Sequence, residues 1–296
     1  MDILPQLLIN ALIAGSIYAL ASAGLSLTYG LLRILNFSHG HMMMLGAYIF
    51  YFFSVDLGQN LGLAGIATIL FSIILAMSVM QIFILPFSKY SLTLTLVSTL
   101  ALSNILEAVV SMVFGVNVKS MSAGAAAQSM EFGGVYITGL QIIIIASALI
   151  ILCSLAWLIH NTSVGRKIRA LSEHPQAAEA IGISQRKVSY LVFAVSVILA
   201  GYAGILVGYE TNMQPTMGSN YTIKAFAAMV MGGLGNLWGT IAGSYILGLV
   251  ENLSIGLDFG GYSIPAGYKD AFAFAIILVM LLVKPEGIFS RRRRTT

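Results

Sequence analysis

Charged residues are the scarcest class in this sequence. Only 9% of its 296 residues are Asp, Glu, Lys or Arg, and 58% are hydrophobic, whereas soluble globular proteins carry about 25% charged residues. A soluble domain of this size would lack the polar surface it needs, so soluble enzyme folds are excluded. A bilayer core about 30 Å thick requires about 20 apolar residues per helix. Several runs approach or exceed that length, and we predict a polytopic membrane protein.

Cysteine and the common catalytic motifs are also nearly absent. Cys153 is the single cysteine, which excludes a disulfide within the chain, and no Cys/His group has metal-ligand spacing. The chain has no Gly-x4-Gly-Lys-Ser/Thr phosphate loop, no Gly-x-Ser-x-Gly and no HExxH motif, so ATP binding through such a loop is excluded and an enzyme is poorly supported. We expect no bound cofactor, no metal, no catalytic residue and no cleavable signal peptide.

Continuous apolar runs dominate what is present. They lie at residues 3–29, 42–55, 61–85, 92–114, 138–159, 188–209, 223–257 and 266–283. Strands of a membrane barrel alternate over about 10 residues, so continuous runs of this kind predict helices. We therefore predict an all-α fold over residues 1–296, a polytopic transmembrane helical bundle of about eight or nine membrane segments that forms one domain. The run at 42–55 is short unless residues 34–40 help to complete it.

Positive charge orients these runs. The one long polar segment inside the chain, residues 160–187, holds five Lys and Arg against two Glu, and Lys and Arg mark cytoplasmic loops rather than nucleic-acid contacts in such a protein. Placing this loop and the basic tail, residues 284–296, in the cytoplasm leaves only Lys119, Lys224 and Lys269 outside, so that 12 of the 15 Lys and Arg lie inside. The N-terminus is then outside and the C-terminus cytoplasmic.

The same assignment requires residues 223–257 to enter the membrane and return. These 35 residues are slightly short for two full spans, and Gly232, Gly233, Gly235 and Asn236 interrupt them near the middle. We predict a hairpin of discontinuous or re-entrant helices there. A similar interruption at residues 36–40 suggests two-fold internal pseudo-symmetry with a translocation route between the halves. The alternative is that both are ordinary tight turns at the membrane surface.

Within the polar loop, residues 170–182 predict one short helix, with Pro175 near its start and Gly182 at its end. Small side chains cover much of its surface, and Glu179 offers a carboxylate to a partner arginine. We predict a docking surface for a cytoplasmic partner, which involves Ala177, Ala178, Glu179, Ala180, Gly182 and Ile183. The alternative is an interfacial helix that lies on lipid headgroups.

Residues 176–182 resemble the EAA-type coupling loop of ABC importer permeases, and the wider chain resembles one family. About residues 5–290 are similar to the branched-chain amino-acid ABC-transporter permeases of bacteria, the Liv-type inner-membrane subunits, and the length is that of the shorter of the two. The resemblance is carried by Tyr29-Gly30, Asn36-Phe37-Ser38-His39-Gly40, Gly46-Ala47-Tyr48, Arg169-Ala170, Ala177-Ala178, Gly182-Ile183, Phe193, Ala200-Gly201, Ala203-Gly204, Gly232-Gly233-Leu234-Gly235, Trp238-Gly239 and Lys284-Pro285-Glu286-Gly287-Ile288-Phe289. The sequence differs from the family pattern at Ser38, His41 and Lys284.

The resemblance implies a heteromeric importer in the bacterial inner membrane. Two permease subunits span the membrane, two ATP-binding subunits dock on the cytoplasmic loops, and a periplasmic binding protein delivers the solute. Leucine, isoleucine and valine are the solutes it implies, although close relatives carry urea and short amides. The alternative is an ion-coupled secondary transporter or channel for a small polar solute, which would need coupling-ion ligands within its spans and no docking helix.

Polar residues inside the predicted spans are the candidate pathway residues, because such residues in membrane proteins are usually functional. They are Asn36, Ser38, His39, Asn104, Glu107, Gly232, Gly233, Gly235, Asn236 and Glu251. The alternative for each is a hydrogen bond to a neighbouring helix or a place at the membrane interface, which we favour for His41. Glu251 lies near a predicted boundary, where it would be in contact with water.

Overall fold

A computed structural model describes residues 3–121, 124, 128–132, 134–256, 258–259, 262–263, 268–284 and 287–289. Within them the α-helices are α1 (Leu4–Leu32), α2 (His39–Tyr51), α3 (Leu61–Val79), α4 (Leu85–Ser88), α5 (Leu92–Phe114), α6 (Gly139–Asn161), α7 (Ser163–Glu173), α8 (Pro175–Ala180), α9 (Gln185–Glu210), α10 (Met217–Gly232), α11 (Leu237–Gly256) and α12 (Lys269–Val283). π-Helical turns extend α2 over Phe52–Asp56 and join α3 to α4 over Met80–Ile84. Two small antiparallel hairpins are formed by β1 (Ser129–Phe132) with β2 (Val135–Thr138) and by β3 (Asp258–Phe259) with β4 (Tyr262–Ser263).

Five of the described helices are long and apolar enough to cross a membrane. They cover Leu4–Leu32, Leu61–Ser88, Leu92–Phe114, Gly139–Asn161 and Gln185–Glu210. The pair α10–α11 passes the same test together but is bent by 119° at its break, so it adds a sixth span if it is counted as one. The protein is thus a polytopic helical membrane protein, as predicted. The short strands are the exception to an all-α fold.

Helix α1 lies at the centre of the bundle. Every residue from 15 to 28 is buried, and the helix packs against α11, α9, α10 and α6. Small residues allow this: Ser22 Oγ lies 2.6 Å from Ser244 Oγ of α11, and Ser196 Oγ of α9 donates to Gly24 O at 2.7 Å. In lipid, small and hydroxyl side chains of this kind hold helices together where apolar burial cannot.

Helices α3, α5 and α6 form the outer wall. Their large exposed side chains are apolar, including Ile66, Leu70, Ile74, Val97, Val109, Ile143 and Ile150. A surface of this composition would aggregate in water, and it is the surface that a helix presents to acyl chains. The lipid-facing wall therefore covers one part of the bundle, while α1, α2, α9 and α10 supply most of the buried core.

One end of the bundle, the loop end, carries residues 160–187. Ser172 Oγ donates to Gly30 O at 2.9 Å, so the C-terminal turn of α1 lies there. Trp238 Nε1 donates to His160 Nε2 at 3.2 Å, so the start of α11 lies there too. These contacts place the break between α10 and α11 on the same side as residues 160–187, as the charge pattern predicts.

The opposite end, the far end, carries the N-terminus. Gln6 Nε2 donates to Tyr136 O at 3.0 Å, and Lys119 N donates to Met213 O at 2.9 Å. The loops around residues 119, 136 and 213 therefore meet at one end. These segments lie at the end that the charge pattern assigns to them, whereas Lys224, which is described below, does not.

Helices α2 and α10 begin inside the bundle rather than at an end. Arg33 has φ 57° and its N–H caps Tyr29 O, which ends α1 at the loop end. Residues 33–38 then run back in without helical structure, and six residues can span about 20 Å when extended. His39 Nε2 lies 2.8 Å from Ala21 O, so α2 starts beside the middle of α1. The predicted interruptions at residues 36–40 and 232–236 are both real breaks in helix.

Candidate functional site

The two internal helix starts meet at a pair of glycines. Gly40 is the second residue of α2 and Gly218 the second residue of α10. A Cβ on Gly40 would overlap the Gly218 carbonyl oxygen, and the ring of His41 packs directly on Gly218. Gly40 N donates to Thr222 Oγ1 at 2.9 Å. Two helix N-termini, each with a positive partial charge, therefore converge at about half the depth of the bundle.

The polar residues ahead of α2 shape the break itself. Asn36 Oδ1 accepts from Ser38 N at 3.1 Å and from Ser38 Oγ at 2.6 Å. All three predicted residues, Asn36, Ser38 and His39, are buried. Their observed contacts satisfy backbone and side-chain groups that a helix would otherwise satisfy, as non-helical chain at membrane depth requires. A small cleft of about 10 Å³, room for about one water molecule, adjoins them between Leu25, Asn36, Thr222 and Phe226.

Glu107 on α5 is paired with the α2 start. His41 Nε2 lies 3.3 Å from Glu107 Oε2, and the two side chains are 3% and 32% exposed. His41 thus has a polar partner beside the contact between the starts of α2 and α10, which we term the half-helix crossing. Asn104, one turn before Glu107, is exposed, and so are Ser219 and Asn220 at the start of α10.

These four residues, Asn104, Glu107, Ser219 and Asn220, form what we term the polar face. Glu107 contacts His41, and His41 packs on Gly218 next to Ser219, so the face is continuous between α5 and α10. Polar side chains exposed at membrane depth are expensive in lipid. This part of the wall is therefore suited to contact with protein or water rather than acyl chains.

A buried charged triad joins three helices at mid-depth. Lys224 Nζ of α10 lies 3.1 Å from Glu251 Oε1 of α11. Tyr18 OH of α1 donates to Glu251 Oε2 at 2.7 Å and accepts from Lys224 Nζ at 3.1 Å. Tyr18 is the fifteenth of the 29 residues of α1. The charge pattern placed Lys224 outside the membrane, and that prediction is wrong because its partners lie deep in the bundle.

Glu251 is likewise deeper than its position near the end of an apolar run implied. Its side chain is 0% exposed, so the alternative of a water-exposed boundary residue is excluded. Sequence analysis selected Glu251 but missed Tyr18 and Lys224. The sequence feature that could have found this site is Lys224, a lysine inside an apolar run. When the helix of such a lysine is internal, its charge requires a buried acid as a partner.

The break between α10 and α11 is built from the predicted residues. Gly233 and Gly235 have φ 105° and 77°, a region that favours glycine. Asn236 Oδ1 accepts from Gly239 N at 3.3 Å and so caps α11. A Cβ on Gly232 would overlap the backbone of Gly239, so the two helices approach at their closest here.

The last described residues close over this break. Ile288 N donates to Met231 O at 2.8 Å, and Asn236 Nδ2 donates to Phe289 O at 2.9 Å. Of the predicted basic tail at 284–296, residues 284 and 287–289 are described, while Arg291–Arg294 lie outside the described residues. The segment after α12 is therefore part of the loop end.

The segment that carries residues 160–187 is attached firmly to α6. Thr162 Oγ1 accepts from Gly165 N at 3.1 Å and caps α7. A Cβ on Gly165 would overlap the Ile159 carbonyl oxygen, so α7 turns back directly against the end of α6. Arg169 donates from its guanidinium to Ile159 O and His160 O, the terminal carbonyls of α6. These contacts fix the angle between α6 and α7.

The predicted docking surface belongs to residues 160–187, which we term the docking segment. Over residues 170–182 this segment contains parts of two helices rather than the single helix predicted. α7 ends at Glu173 and α8 begins at Pro175. The reason is Pro175, which has no N–H and disfavours helical backbone at the preceding residue; His174 has φ −139° and ψ 85°. Gly182, with φ 88°, ends α8 as predicted, since Ile183 N donates to Ala178 O at 3.0 Å.

Five of the six predicted docking residues lie at the surface or partly so. Ala177, Glu179, Ala180 and Gly182 are exposed, and Ile183 is half-buried. Ala178 is the exception, with 3% exposure, because it packs inward against the core. Ile181, which sequence analysis did not select, is 76% exposed. An isoleucine exposed to this degree at the tip of a loop is a good candidate for burial by a partner.

A wide groove adjoins this segment at the loop end. Its volume is about 600 Å³, and its polar lining residues are Gln81, Ser88, Lys89, Glu179, Gln185, Arg186 and Ser189. Within the described part of the chain, no group of three or more His, Cys, Asp or Glu side chains has the arrangement of a metal site.

Comparison with known proteins identifies the family. Residues 7–281 match the family model described as branched-chain amino acid transport system / permease component. This chain is a member of that permease family. It is 29% identical to the high-affinity branched-chain amino acid transport system permease protein BraD of Pseudomonas aeruginosa, over 97% of this chain and 95% of the relative. It is 30% identical to the corresponding LivH protein of Escherichia coli strain K12, with the same two coverages.

The fold of this permease is also found among solved structures. PsaBC from Streptococcus pneumoniae in complex with Fab matches with a TM-score of 0.53 at 13% identity, over 97% of this chain and 93% of that one. The likeness concerns the fold alone. It covers almost the whole permease.

Proposed function

We propose that this permease is the membrane subunit of an ABC importer, and that it forms the pathway for branched-chain amino acids together with a second, homologous permease. Membership of the branched-chain amino acid permease family supports the solute class. It also favours this function over an ion-coupled secondary transporter. The localisation that follows is the bacterial inner membrane, with the loop end and the C-terminus in the cytoplasm.

One observation carries the proposal: the docking segment is exposed and rigidly connected to the interior. Its helices are attached to α6 through Arg169 and Gly165 and to α1 through Ser172. Its neighbour His160 contacts Trp238 at the start of α11. A force applied to α8 is therefore transmitted to the break between α10 and α11 through packed groups. The chain has no phosphate loop of its own, so two separate ATP-binding subunits supply that force.

The second permease fits against the polar face. Lipid does not satisfy Asn104, Glu107, Ser219 and Asn220, whereas another subunit with a water-filled pathway does. The pathway then passes the crossing of the two half-helices at Gly40 and Gly218. A periplasmic binding protein delivers the solute to the far end, where β1–β2 and the segment around Met213 lie.

The arrangement of half-helices supports the internal pseudo-symmetry predicted from the sequence. In the first half α1 runs towards the loop end, a six-residue segment returns, and α2 starts inside. In the second half α9 runs towards the far end, residues 211–216 return, and α10 starts inside. The two units have opposite directions, which is the pattern of an inverted repeat. With α2, α10, α11 and α12 included, the count of eight or nine membrane segments follows.

The proposal is tested by separating docking from insertion. Glu179→Lys and Gly182→Trp place a reversed charge and a bulky group on the exposed docking surface. Reversing one charge of an interfacial pair costs several kcal/mol, so co-purification of the ATP-binding subunits should fall by about tenfold or more. ATP-dependent leucine uptake by proteoliposomes should fall with it, while membrane insertion is unchanged.

The matched control is Asp56→Lys, the same kind of charge reversal on the last residue of the π-helical turn that extends α2, at the far end. It should leave co-purification of the ATP-binding subunits unchanged. Normal co-purification and normal uptake in both docking variants would contradict the docking role. Leucine uptake by the isolated permease without ATP-binding subunits would contradict the importer as a whole.

A further inference from the structure

The triad of Tyr18, Lys224 and Glu251 has the chemistry of a zwitterion-binding site. It presents one ammonium and one carboxylate, 3.1 Å apart, at mid-depth of the bundle. An α-amino acid carries the same two groups. Its carboxylate can take the place of Glu251 on Lys224, and its ammonium the place of Lys224 on Glu251. We propose that the transported amino acid opens this ion pair and binds between Lys224 and Glu251, an inference that rests on the proposed function.

The energetics favour an exchangeable pair over a purely structural one. A buried ion pair often stabilises a protein no more than neutral side chains of the same volume, and charges at membrane depth are expensive unless they are paired. In the empty permease, the two charges contact each other. In the bound state, each of them contacts the opposite charge of the zwitterion instead.

The position of the triad makes it reachable. The Lys224 side chain is 12% exposed, and Asn220, one turn earlier on α10, belongs to the polar face. Lys224 therefore lies at the border between the buried triad and the surface that we assign to the pathway.

Opening the pair would also release a contact between helices. Lys224 belongs to α10, Glu251 to α11 and Tyr18 to α1, so the pair holds the bent α10–α11 unit against the central helix. Binding of solute would thus loosen the contact of α10 and α11 with α1. The docking segment contacts α1 and the start of α11 at the loop end.

The test removes both charges and keeps the shape. Lys224→Met combined with Glu251→Gln removes both charges of the pair together, so the melting temperature of the assembled importer should be unchanged or higher. ATP-binding subunits should still co-purify. ATP-dependent leucine uptake into proteoliposomes with the full set of partner subunits should fall at least about tenfold, because two charge-assisted contacts to the solute are lost.

The matched control is Ser22→Ala combined with Ser244→Ala, which removes a buried polar contact between α1 and α11 on the loop-end side of the triad. Leucine uptake should persist in that variant. A folded, assembled Lys224→Met/Glu251→Gln importer that takes up leucine at the wild-type rate would overturn the proposal, since the pair would then be structural. If the wild-type importer takes up no branched-chain amino acid, the proposed function fails instead, and the triad proposal fails with it.

A second measurement decides the matter if the neutral variant does not assemble. In Asn220→Cys, which keeps both charges of the pair and lies one turn before Lys224 on α10, an alkylating thiol reagent should modify the new cysteine, and leucine with its binding protein should slow that reaction several-fold. Cys153 is exposed on α6 and provides the internal control; its reaction, followed on a separate peptide by mass spectrometry, should not respond to leucine. A rate at position 220 that is independent of leucine would also overturn the proposal.

Discussion

Glycines fix the distance between α2 and α9. The start of α2 is also where α2 meets α10, at Gly40 and Gly218. A Cβ on Gly204 of α9 would overlap the Met43 carbonyl oxygen of α2, and a Cβ on Gly46 would overlap the backbone of Gly201. Backbones this close are a common way for membrane helices to associate, because packing replaces the hydrophobic effect there. The position of α2, and with it the crossing at Gly40, depends on these residues.

We expect Gly204→Ala to destabilise the permease. The added methyl group meets backbone rather than a flexible side chain, so α2 must move away from α9, at a cost of about 1–3 kcal/mol. The melting temperature in detergent should fall. Gly65→Ala is the matched control, since a Cβ there meets nothing within 4 Å and alanine is the better helix former by about 1 kcal/mol. Equal melting temperatures for the two variants would contradict this account.

At the residue scale, the sequence showed which residues are unusual better than it showed which residues they contact. Glu251 and Asn36 were selected as polar residues within apolar runs and are buried, and Gly235 lies at the predicted break; their role in a pathway stays a prediction. The partner of Glu251 was not selected, because Lys224 and Tyr18 belong to other helices and no local periodicity relates them. Ala178 was assigned to the surface since its neighbours are small, yet the split of the helix at Pro175 turns it inward.

At the scale of elements, the break between α10 and α11 is the feature that sequence defines best. Two glycines with positive φ and a capping asparagine specify it locally. The depth at which α2 and α10 start was harder to predict from the sequence. It follows from long-range contacts such as Gly40 N to Thr222 Oγ1, 182 residues apart, and apolar runs carry no information about them.

Cysteine labelling tests the placement of this break. In a Cys153→Ser background, Asn236→Cys should react with a membrane-impermeant maleimide from the cytoplasmic side, because Asn236 lies with residues 160–187 at the loop end. Asp56→Cys should react from the outside. Exclusive labelling of position 236 from the periplasm would contradict the arrangement of α10 and α11.

At the scale of the whole molecule, the outer wall is of two kinds. Large apolar side chains cover α3 and α6, whereas the polar face lies between α5 and α10. The first suits acyl chains, and the second suits a subunit partner. Composition predicted a membrane protein and the charge bias sorted most loops correctly, but neither distinguishes a lipid-facing from a partner-facing part of the wall.

Tryptophan substitution should distinguish the two kinds of surface. Asn220→Trp adds a bulky group to the polar face, so co-purification of the second permease should fall by about tenfold, as expected for a clash worth at least 1.4 kcal/mol at an interface. Ile74→Trp, on a residue that is 64% exposed on α3, should have no such effect. Equal co-purification of the second permease with both variants would place the partner elsewhere.

The central position of α1 has a consequence for biosynthesis. Helix α1 packs mainly on α11, which is synthesised much later, and Tyr18 is separated from Glu251 by 233 residues. At a translation rate of about 5–20 residues per second, this interval lasts on the order of 10–50 s. Throughout it, Ser16 and Ser22 lack their partners on α11, Tyr245 and Ser244. The α11 side of α1 is therefore covered by the insertion machinery or by lipid until α11 emerges, and ribosome stalling late in the message would leave that side without its protein partner.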